Sequence, residues 1–380
     1  MSVKPKRVLF VATVVKTHIM TFHIPYLKMF QEMGYETAVA ARNDYENPDD
    51  CLIPYCNQFF DIPFQREPFH RDNFQCYKKL KTIIDEGEFS IVHCHTPVGG
   101  VLGRLAARKA RKEGARVMYT AHGFHFYRGA PLKNWILYYP IEKICSYFAD
   151  AIITINEEDF HFAKRNFTST SVFNLPGVGI NVARFSQEHR RNTVSQDLCG
   201  VRGDEKWILS VGELNDNKNQ KTIIRALALP GLEKVHYLIA GTGIRRAQLE
   251  AYAAELKVND RVHFLGFRND IPELLHTADV FVFPSQREGL PVALMEAMAA
   301  GVPVVASRIR GNVDLIINGV DGFLCDPSDE KCFADRIGTL LSNDILAKRF
   351  SKRGHEKIKE YDIENVLYAA RKIYKVVLDK

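Results

Sequence analysis

The chain predicts an α/β protein built on two doubly wound parallel sheets, and three observations carry that expectation. Short apolar runs rich in β-branched and aromatic residues alternate with longer segments of helical periodicity, as in βαβ crossovers. The alternation comes in two blocks. Between them, from Pro176, the pattern lapses into PGVGINVARF and then the polar SQEHRRNTVSQDLCGVRGDEK, a composition that suits an interdomain linker. A length of 380 residues is enough for two domains of ordinary size.

In the first block, strands are expected near Arg7–Thr13, Glu36–Ala41, Ile91–His95, Arg116–Ala121, Ala151–Ile155 and Ser171–Asn174. Helices are expected near His18–Met33, Phe74–Glu86, Gly99–Lys112, Leu132–Phe148 and Glu157–Asn166. The turn after the first strand reads Thr13-Val-Val-Lys-Thr-His18 and lacks the G-x-G-x-x-G of a dinucleotide site, which argues against a nicotinamide enzyme. His18 to Leu27, HIMTFHIPYL, should begin beside the end of that strand, so Thr17 and His18 are candidates for the acceptor side of a site, while its apolar residues fit either the core or an acceptor lining, the core first. His93 and His95 alternate on one strand and His122 ends the next. Same-face histidines could suit a metal, but no third ligand stands at a recognisable spacing, and we expect no metal.

The second block has strands near Trp207–Val211, Tyr237–Ala240, Val262–Leu265, Val280–Phe283 and Pro303–Ala306, and their carboxyl ends should form one edge where a ligand binds. Its most informative stretch is VFVFPSQREGLPVALMEAMAAGVPVVAS, Val280 to Ser307, a strand, loop, helix and strand. Pro291 fits the helix's first turn and Gly301 its end. Glu288 lies in the loop and Glu296 more than a turn into the helix. A helix N-terminus beyond a parallel strand offers free N–H groups and partial positive charge to a phosphate. Glu296 can reach only a neutral neighbour such as a sugar hydroxyl, and Glu288 reaches further into the same cleft. Lys218, opening a helix expected near Asn217, is placed to meet a diphosphate. Gly212, Gly241-Thr-Gly243 and Gly266-Phe-Arg-Asn-Asp270 line the same edge. Three helices, Lys331–Leu341, Asp344–Glu360 and Ile363–Leu378, should close the chain.

With 46% apolar and 25% charged residues, the chain reads as folded rather than disordered. No apolar run reaches the roughly 18 residues that span a bilayer. The eight cysteines are scattered without a C-x-x-C pair, so we expect reduced thiols, no disulfide and a cytoplasmic location. Residues 1–200 hold 25 Lys and Arg against 20 Asp and Glu, and nine of the 13 histidines; the remainder holds 26 against 25. A modest basic bias in the first block suits an anionic acceptor or an anionic membrane surface, or is ordinary surface variation. Without a dense basic stripe, nucleic acid is not an expected partner. The aromatic stretch Asn134–Phe148, NWILYYPIEKICSYF, fits either a membrane interface or packing on the sheet, with Pro140 kinking it.

The pattern Glu288-Gly-Leu-Pro-x-x-x-x-Glu296 resembles the E-x7-E signature of retaining glycosyltransferases of family four, which have the two-Rossmann-domain GT-B fold. The likeness extends over essentially the whole chain. VATVVKTHIMTFHIPYL, VHCHTPVGGVLGRLAAR and TAHGFHFYRGAPLKNW are similar to bacterial members that build exopolysaccharide, capsule or lipid-linked glycans. The resemblance implies an N-terminal acceptor-binding domain (residues 1–185), a nucleotide-sugar-binding domain (200–358) and a final helix (359–380) crossing back to the first. It further implies a hexosyl- or N-acetylhexosaminyltransferase, without metal or other cofactor, that uses a nucleotide-diphosphate sugar, UDP foremost, and a polyprenyl-diphosphate-linked glycan. Such an enzyme would be peripheral on the inner face of the cell membrane. In that family a histidine matched by His122 faces the donor sugar, so His122 and Glu288 are the expected catalytic pair. Lys218, Gly212, Gly289, Leu290, Val292 and Glu296 would hold the donor, with Gly266 and Phe267 matching the nucleobase segment. One departure stands out: the family's Arg beside the glycine turn is Glu213 here. Lys218 is then left with helix N–H groups alone, or with another cation among Arg268, Arg287 and Arg310. Two alternatives remain open, a UDP-sugar 2-epimerase and a non-catalytic sugar-nucleotide-binding subunit.

Overall fold

The computed structural model describes residues 6–167, 170–186 and 205–379; the polar half of the expected linker, 187–204, lies outside them. The chain divides into two compact units, Met1–Gly179 with Ile363–Lys380, and Ile180–Asp362.

The first unit is centred on a seven-stranded sheet of β1 (Lys6–Val14), β2 (Tyr35–Arg42), β3 (Gln58–Asp61), β4 (Ile91–His95), β5 (Arg116–Ala121), β6 (Ala151–Thr154) and β7 (Ser171–Asn174). Its order is β3-β2-β1-β4-β5-β6-β7 and every pairing is parallel. Helices on both sides bury the sheet, so β1 is buried continuously from Val8 to Val14, as a parallel strand with two covered faces should be. Period two sorts its side chains. Leu9 and Val11 enter one core, while Val8, Phe10 and Ala12 enter the other. The last helix, Ile363–Leu378, buries Val366, Ala370, Ile373, Tyr374 and Val377 in the core shared by Val8 and Phe10. That spacing is one apolar stripe of an α-helix.

The second unit carries a six-stranded parallel sheet of β8 (Lys206–Val211), β9 (Val235–Ala240), β10 (Val262–Gly266), β11 (Val280–Phe283), β12 (Val304–Ser307) and β13 (Phe323–Cys325), ordered β10-β9-β8-β11-β12-β13. The two sheets thus share one design, with the order running outward in both directions from a central pair. Those pairs are β1 with β4 and β8 with β11.

Several expectations need correction. Two strands, β3 and β13, were not anticipated; both are short edge strands, and β3 is at most half-covered. The segment expected as one helix from His18 to Met33 is a π turn, Val15–Ile19, followed by Met20–Phe22 and Ile24–Glu32. The helix expected from Leu132 to Phe148 ends at Ser146, with Pro140 inside it. Cys325 and Cys332 form a disulfide where free thiols were expected. The turn between them is tightened by Asp326, which accepts from Ser328, and by Asp329, which caps the helix Glu330–Ser342, so the chain folds back with the two Cα atoms 5.8 Å apart. Cys51, Cys56, Cys76, Cys94 and Cys145 are free, and Cys199 lies outside the described residues. Among the described residues no helix is long and apolar enough to cross a membrane.

A buried ion pair ties the crossover helices of the first unit together. Arg104, on the helix Pro97–Ala106, is fully buried and bonds Glu142 Oε2 at 2.7 Å and Gly100 O at 2.7 Å, with its guanidinium 4.0 Å from the Tyr119 ring centre. Removing one partner of such a pair strands the other charge in low dielectric. Glu142→Ala should therefore destabilise the first unit by about 3–5 kcal/mol. Urea unfolding followed by Trp135 fluorescence in a Trp207→Phe background measures this, and a loss below about 1 kcal/mol would mean the guanidinium finds another partner.

Candidate functional site

In an open parallel sheet, the two loops leaving the central strands turn to opposite sides and leave a crevice between them. In the second unit those loops follow β8 and β11, and they carry Gly212, Lys218, Glu288, Gly289 and Leu290. Asparagines lace them together. Asn217 Nδ2 donates to Arg287 O at 2.9 Å, and Gln286 N donates to Asn217 O at 2.8 Å. Asn219, at φ 55°, donates from Nδ2 to Pro284 O at 3.0 Å and Pro327 O at 2.8 Å. The left-handed conformation is one Asn tolerates better than most residues, and the Asn/Asp run in NDNKNQ was the sequence signal for it. The helix consequently begins at Gln220, so Lys218 sits on the loop instead of opening a helix near Asn217.

Lys218 Nζ lies 2.8 Å from Glu288 Oε1 and 4.8 Å from the centre of the Phe283 ring. Two residues expected to serve separate parts of one ligand are therefore each other's partners. Arg310, 7% exposed, donates from Nε to Glu288 O at 3.1 Å, so of the three cations named as replacements for Glu213 it is the one that holds the Glu288 loop. Arg268 is engaged with Asp270, while Arg287 and Glu213 are exposed. Backbones pack closely here. A Cβ on Gly241 would fall 1.9 Å from Gly212 O, and one on Gly311 (φ +79°) would fall 2.1 Å from Gly289 O. Neither site admits a side chain, which leaves the backbone itself as the wall of the crevice.

The helix after Glu288 is Val292–Ala299, with Pro291 at its N-cap instead of its first turn. Leu290 is buried and Val292 partly so. Glu296 stands about 6 Å along the axis from Val292 at 1.5 Å per residue. Burial pushes its carboxyl up to about 7, and the Arg184 guanidinium on the short helix Val182–Ser186 only partly offsets this. Arg184 was not anticipated, because nothing in its spacing links it to Glu296. Gly266, at φ +69°, accepts from Gly241 N at 2.7 Å, and beside it Phe267 is 76% exposed.

The switch point of the first unit lies between β1 and β4. Thr96 follows β4 at φ 61°, an outlier for a β-branched residue, and its Oγ1 bonds Thr13 Oγ1 at 2.7 Å and Thr13 N at 3.1 Å. Four histidines gather beside it. His23 Nε2 is 3.1 Å from His18 Nε2, and His122 Nε2 is 3.4 Å from His95 Nδ1. Beside His95 and His122 the fold thus brings His18 and His23, which the sequence spacing did not link to them. Residues five apart on a regular α-helix point roughly 140° from each other, whereas the π turn and the break at His23 bring His18 and His23 together. His93 is otherwise engaged, with Nε2 2.8 Å from Thr120 Oγ1 and Nδ1 2.7 Å from Tyr374 on the last helix. Burial lowers His93 to about 3 and His122 to about 4, so both rings are neutral. Thr17 is exposed, with its hydroxyl 3.4 Å from Asp44 and from Arg66.

The family model of group 1 glycosyl transferases matches residues 199–357, and that of the 4-like glycosyl transferases matches residues 7–156. EpsD of Bacillus subtilis (strain 168), named as a glycosyltransferase, is 40% identical over 98% of this chain and 97% of its own length. The chain belongs to the family-four glycosyltransferases. This glycosyltransferase is also 29% identical, over 75% of its length and 76% of the relative's, to an Escherichia coli UDP-Gal:α-D-GlcNAc-diphosphoundecaprenol α-1,3-galactosyltransferase. Its fold is GT-B. Sucrose-phosphate synthase from Thermosynechococcus elongatus matches at TM-score 0.82 (19% identity, 98% of this chain, 99% of that one). HepE of Anabaena, in complex with UDP and glucose, matches at 0.80 (18%, 98% and 100%).

The raised Glu296 carboxyl sets a pH dependence. A native pKa near 7 against an ordinary 4.5 means the folded glycosyltransferase binds more protons than the unfolded chain between those values. The contribution of Glu296 to stability is then fullest below about pH 4.5 and falls as pH rises through 7, by roughly 3 kcal/mol at most. Denaturation of wild type and Glu296→Gln from pH 4.5 to 8 should show the wild type losing stability relative to the variant. Parallel curves would mean the carboxyl is not held neutral.

Proposed function

We propose that this glycosyltransferase moves a hexosyl or N-acetylhexosaminyl group, with retention, from a UDP-sugar to a polyprenyl-diphosphate-linked glycan in surface polysaccharide synthesis. The observation that carries the donor half is the pairing of Lys218 with Glu288 at the β8 and β11 switch point, before the N-terminus of Val292–Ala299. A bound diphosphate would compete with Glu288 for the Lys218 ammonium and take the helix N–H groups. The carboxylate released from that pairing would turn to the sugar hydroxyls. Glu296 would accept from the ribose, and Gly266 with the exposed Phe267 would hold the base. Arg310 keeps the Glu288 loop in place and offsets the missing cation at Glu213. The E. coli relative is named for UDP-Gal and a diphosphoundecaprenol acceptor, which supports both halves.

In the transfer, the acceptor hydroxyl oxygen bonds the anomeric carbon while the bond from that carbon to the diphosphate oxygen breaks. The leaving electron pair stays on the diphosphate, where Lys218 and the helix N–H groups stabilise it. For retention the acceptor enters on the leaving-group face and its proton passes to the departing phosphate oxygen. No metal is needed for that charge balance. We assign His122, neutral through burial, to a sugar hydroxyl, and Thr17 and His18 to the acceptor side. An epimerase or a non-catalytic subunit would release no UDP in an acceptor-dependent way, so a panel of UDP-sugars assayed for UDP release with and without a lipid-diphosphate acceptor tests the proposal.

The acceptor half rests on the helix Leu132–Ser146. Trp135, Tyr138 and Tyr139 pack on the core, yet Leu132, Ile136, Leu137 and Ile144 face outward, 41–73% exposed, with Tyr147 just beyond. An outer stripe at helical spacing that is apolar instead of polar suits a membrane interface. Phe69, 64% exposed, lines an apolar pocket with Pro97, Val101, Phe126 and Tyr138 beside the same helix, and such a pocket suits the first isoprene units of the acceptor.

Three outcomes are expected. A UDP-sugar should raise the melting temperature equally with and without EDTA, and Lys218→Ala or Glu296→Ala should each weaken donor binding by about tenfold to a hundredfold, as the loss of a charged hydrogen bond does. Wild-type donor affinity in both variants would misplace the donor site, and a shift abolished by EDTA would remove the metal-free chemistry. The protein should also sediment with anionic liposomes at low salt, and Ile136→Asp with Ile144→Asp should weaken that binding at least about tenfold, given about 1.5–3 kcal/mol for each apolar side chain buried. Unchanged sedimentation would detach the acceptor reading from this helix.

A further inference from the structure

The four histidines at the β1 and β4 switch point have the make-up of a ligand shell. One nitrogen from each of His18, His23, His95 and His122 lies within 4.8 Å of every other. Four imidazoles around a tetrahedral zinc, at about 2.0–2.1 Å each, stand roughly 3.3 Å apart. Two contacts among these rings, at 3.1 and 3.4 Å, already have that length, and the remaining pairs, no more than 4.8 Å apart, would have to close by up to about 1.5 Å. His23 and His95 are buried, while His18 and His122 are partly covered.

A cluster of neutral histidines can also exist for packing alone, each ring giving one hydrogen bond and taking one. This one does not balance. His23 Nδ1 and His95 Nε2 are buried without a hydrogen-bond partner among the described residues; with an ion on His23 Nε2 and His95 Nδ1 these are the outer ring nitrogens, so the network as it stands satisfies neither ring. His93 shows the contrast, since Thr120 and Tyr374 satisfy both of its nitrogens and it stays outside the shell. An all-imidazole set with no carboxylate does not suit Mg²⁺ or Ca²⁺ and does suit a borderline transition ion.

We propose that His18, His23, His95 and His122 form a binding site for one divalent transition-metal ion of the zinc class. The site lies wholly within the first unit and is separate from the donor chemistry at Lys218 and Glu288. Because it includes His122, occupation would withdraw that ring from the sugar, a consequence that rests on the role proposed for His122 above.

The test is calorimetric titration of full-length, chelator-stripped protein with Zn²⁺. One ion per chain is expected. His23→Gln and His122→Gln should each weaken binding by at least about tenfold to a hundredfold, the range that even supporting residues of metal sites show. His70→Gln and His161→Gln, which alter exposed histidines elsewhere, should leave it unchanged. His122 is only partly buried, so its variant tests the site even where His23→Gln fails to fold. Wild-type affinity in His122→Gln, or loss in the exposed-histidine controls alone, would overturn the proposal. Stoichiometric Zn²⁺ should in addition slow UDP release until a chelator is added. Binding without that inhibition would leave the metal site standing and remove the role assigned to His122.

Discussion

The organising constraint is the direction of the strands. When every strand runs parallel and the order reverses at one central pair, the loops leaving that pair have no neighbouring connection to cover the sheet end between them. Both units meet this condition, at β1 with β4 and at β8 with β11. The chemically versatile side chains collect at those two places: histidines and Thr96 at the first, Lys218, Glu288 and a wall of glycine backbone at the second.

Magnitudes separate scaffold from site. The Arg104 and Glu142 pair is sealed from solvent and braced by Gly100 and Tyr119, so neither charge has an alternative partner and the contact is structural. Lys218 and Glu288 keep 22% and 15% of their side-chain surface exposed. That partial exposure leaves the pair within reach of a ligand, as the proposed donor role requires. Glu296 differs again, since burial raises its carboxyl to about 7.

The last helix links the architecture to the first site. Its apolar stripe completes the core on one side of the first sheet, and from that stripe Tyr374 reaches His93. His93 is thereby fixed as a packing residue although it shares a strand face with His95. Two histidines two residues apart thus have different partners because a segment some 280 positions later in the chain supplies one of them.

Sequence alone determined the α/β class, the two blocks and eleven of the thirteen strands among the described residues, and it singled out Glu288, Glu296 and Lys218 as candidates. These depend on local quantities, namely periodicity, β-branched runs and the turn residues around E-x7-E, which act over a few residues. The two missed strands are edges too short to show a period. Tertiary structure decided what depends on distant segments meeting. It joined Lys218 to Glu288, placed Arg310 on the Glu288 loop and Arg184 near Glu296, and closed the Cys325 and Cys332 disulfide. It also gathered His18 and His23 to His95 and His122, because a π turn alters the facing of residues five apart and sheet order sets which strand ends are neighbours. Neither the widening of a turn nor the order of strands leaves a periodic trace in the chain.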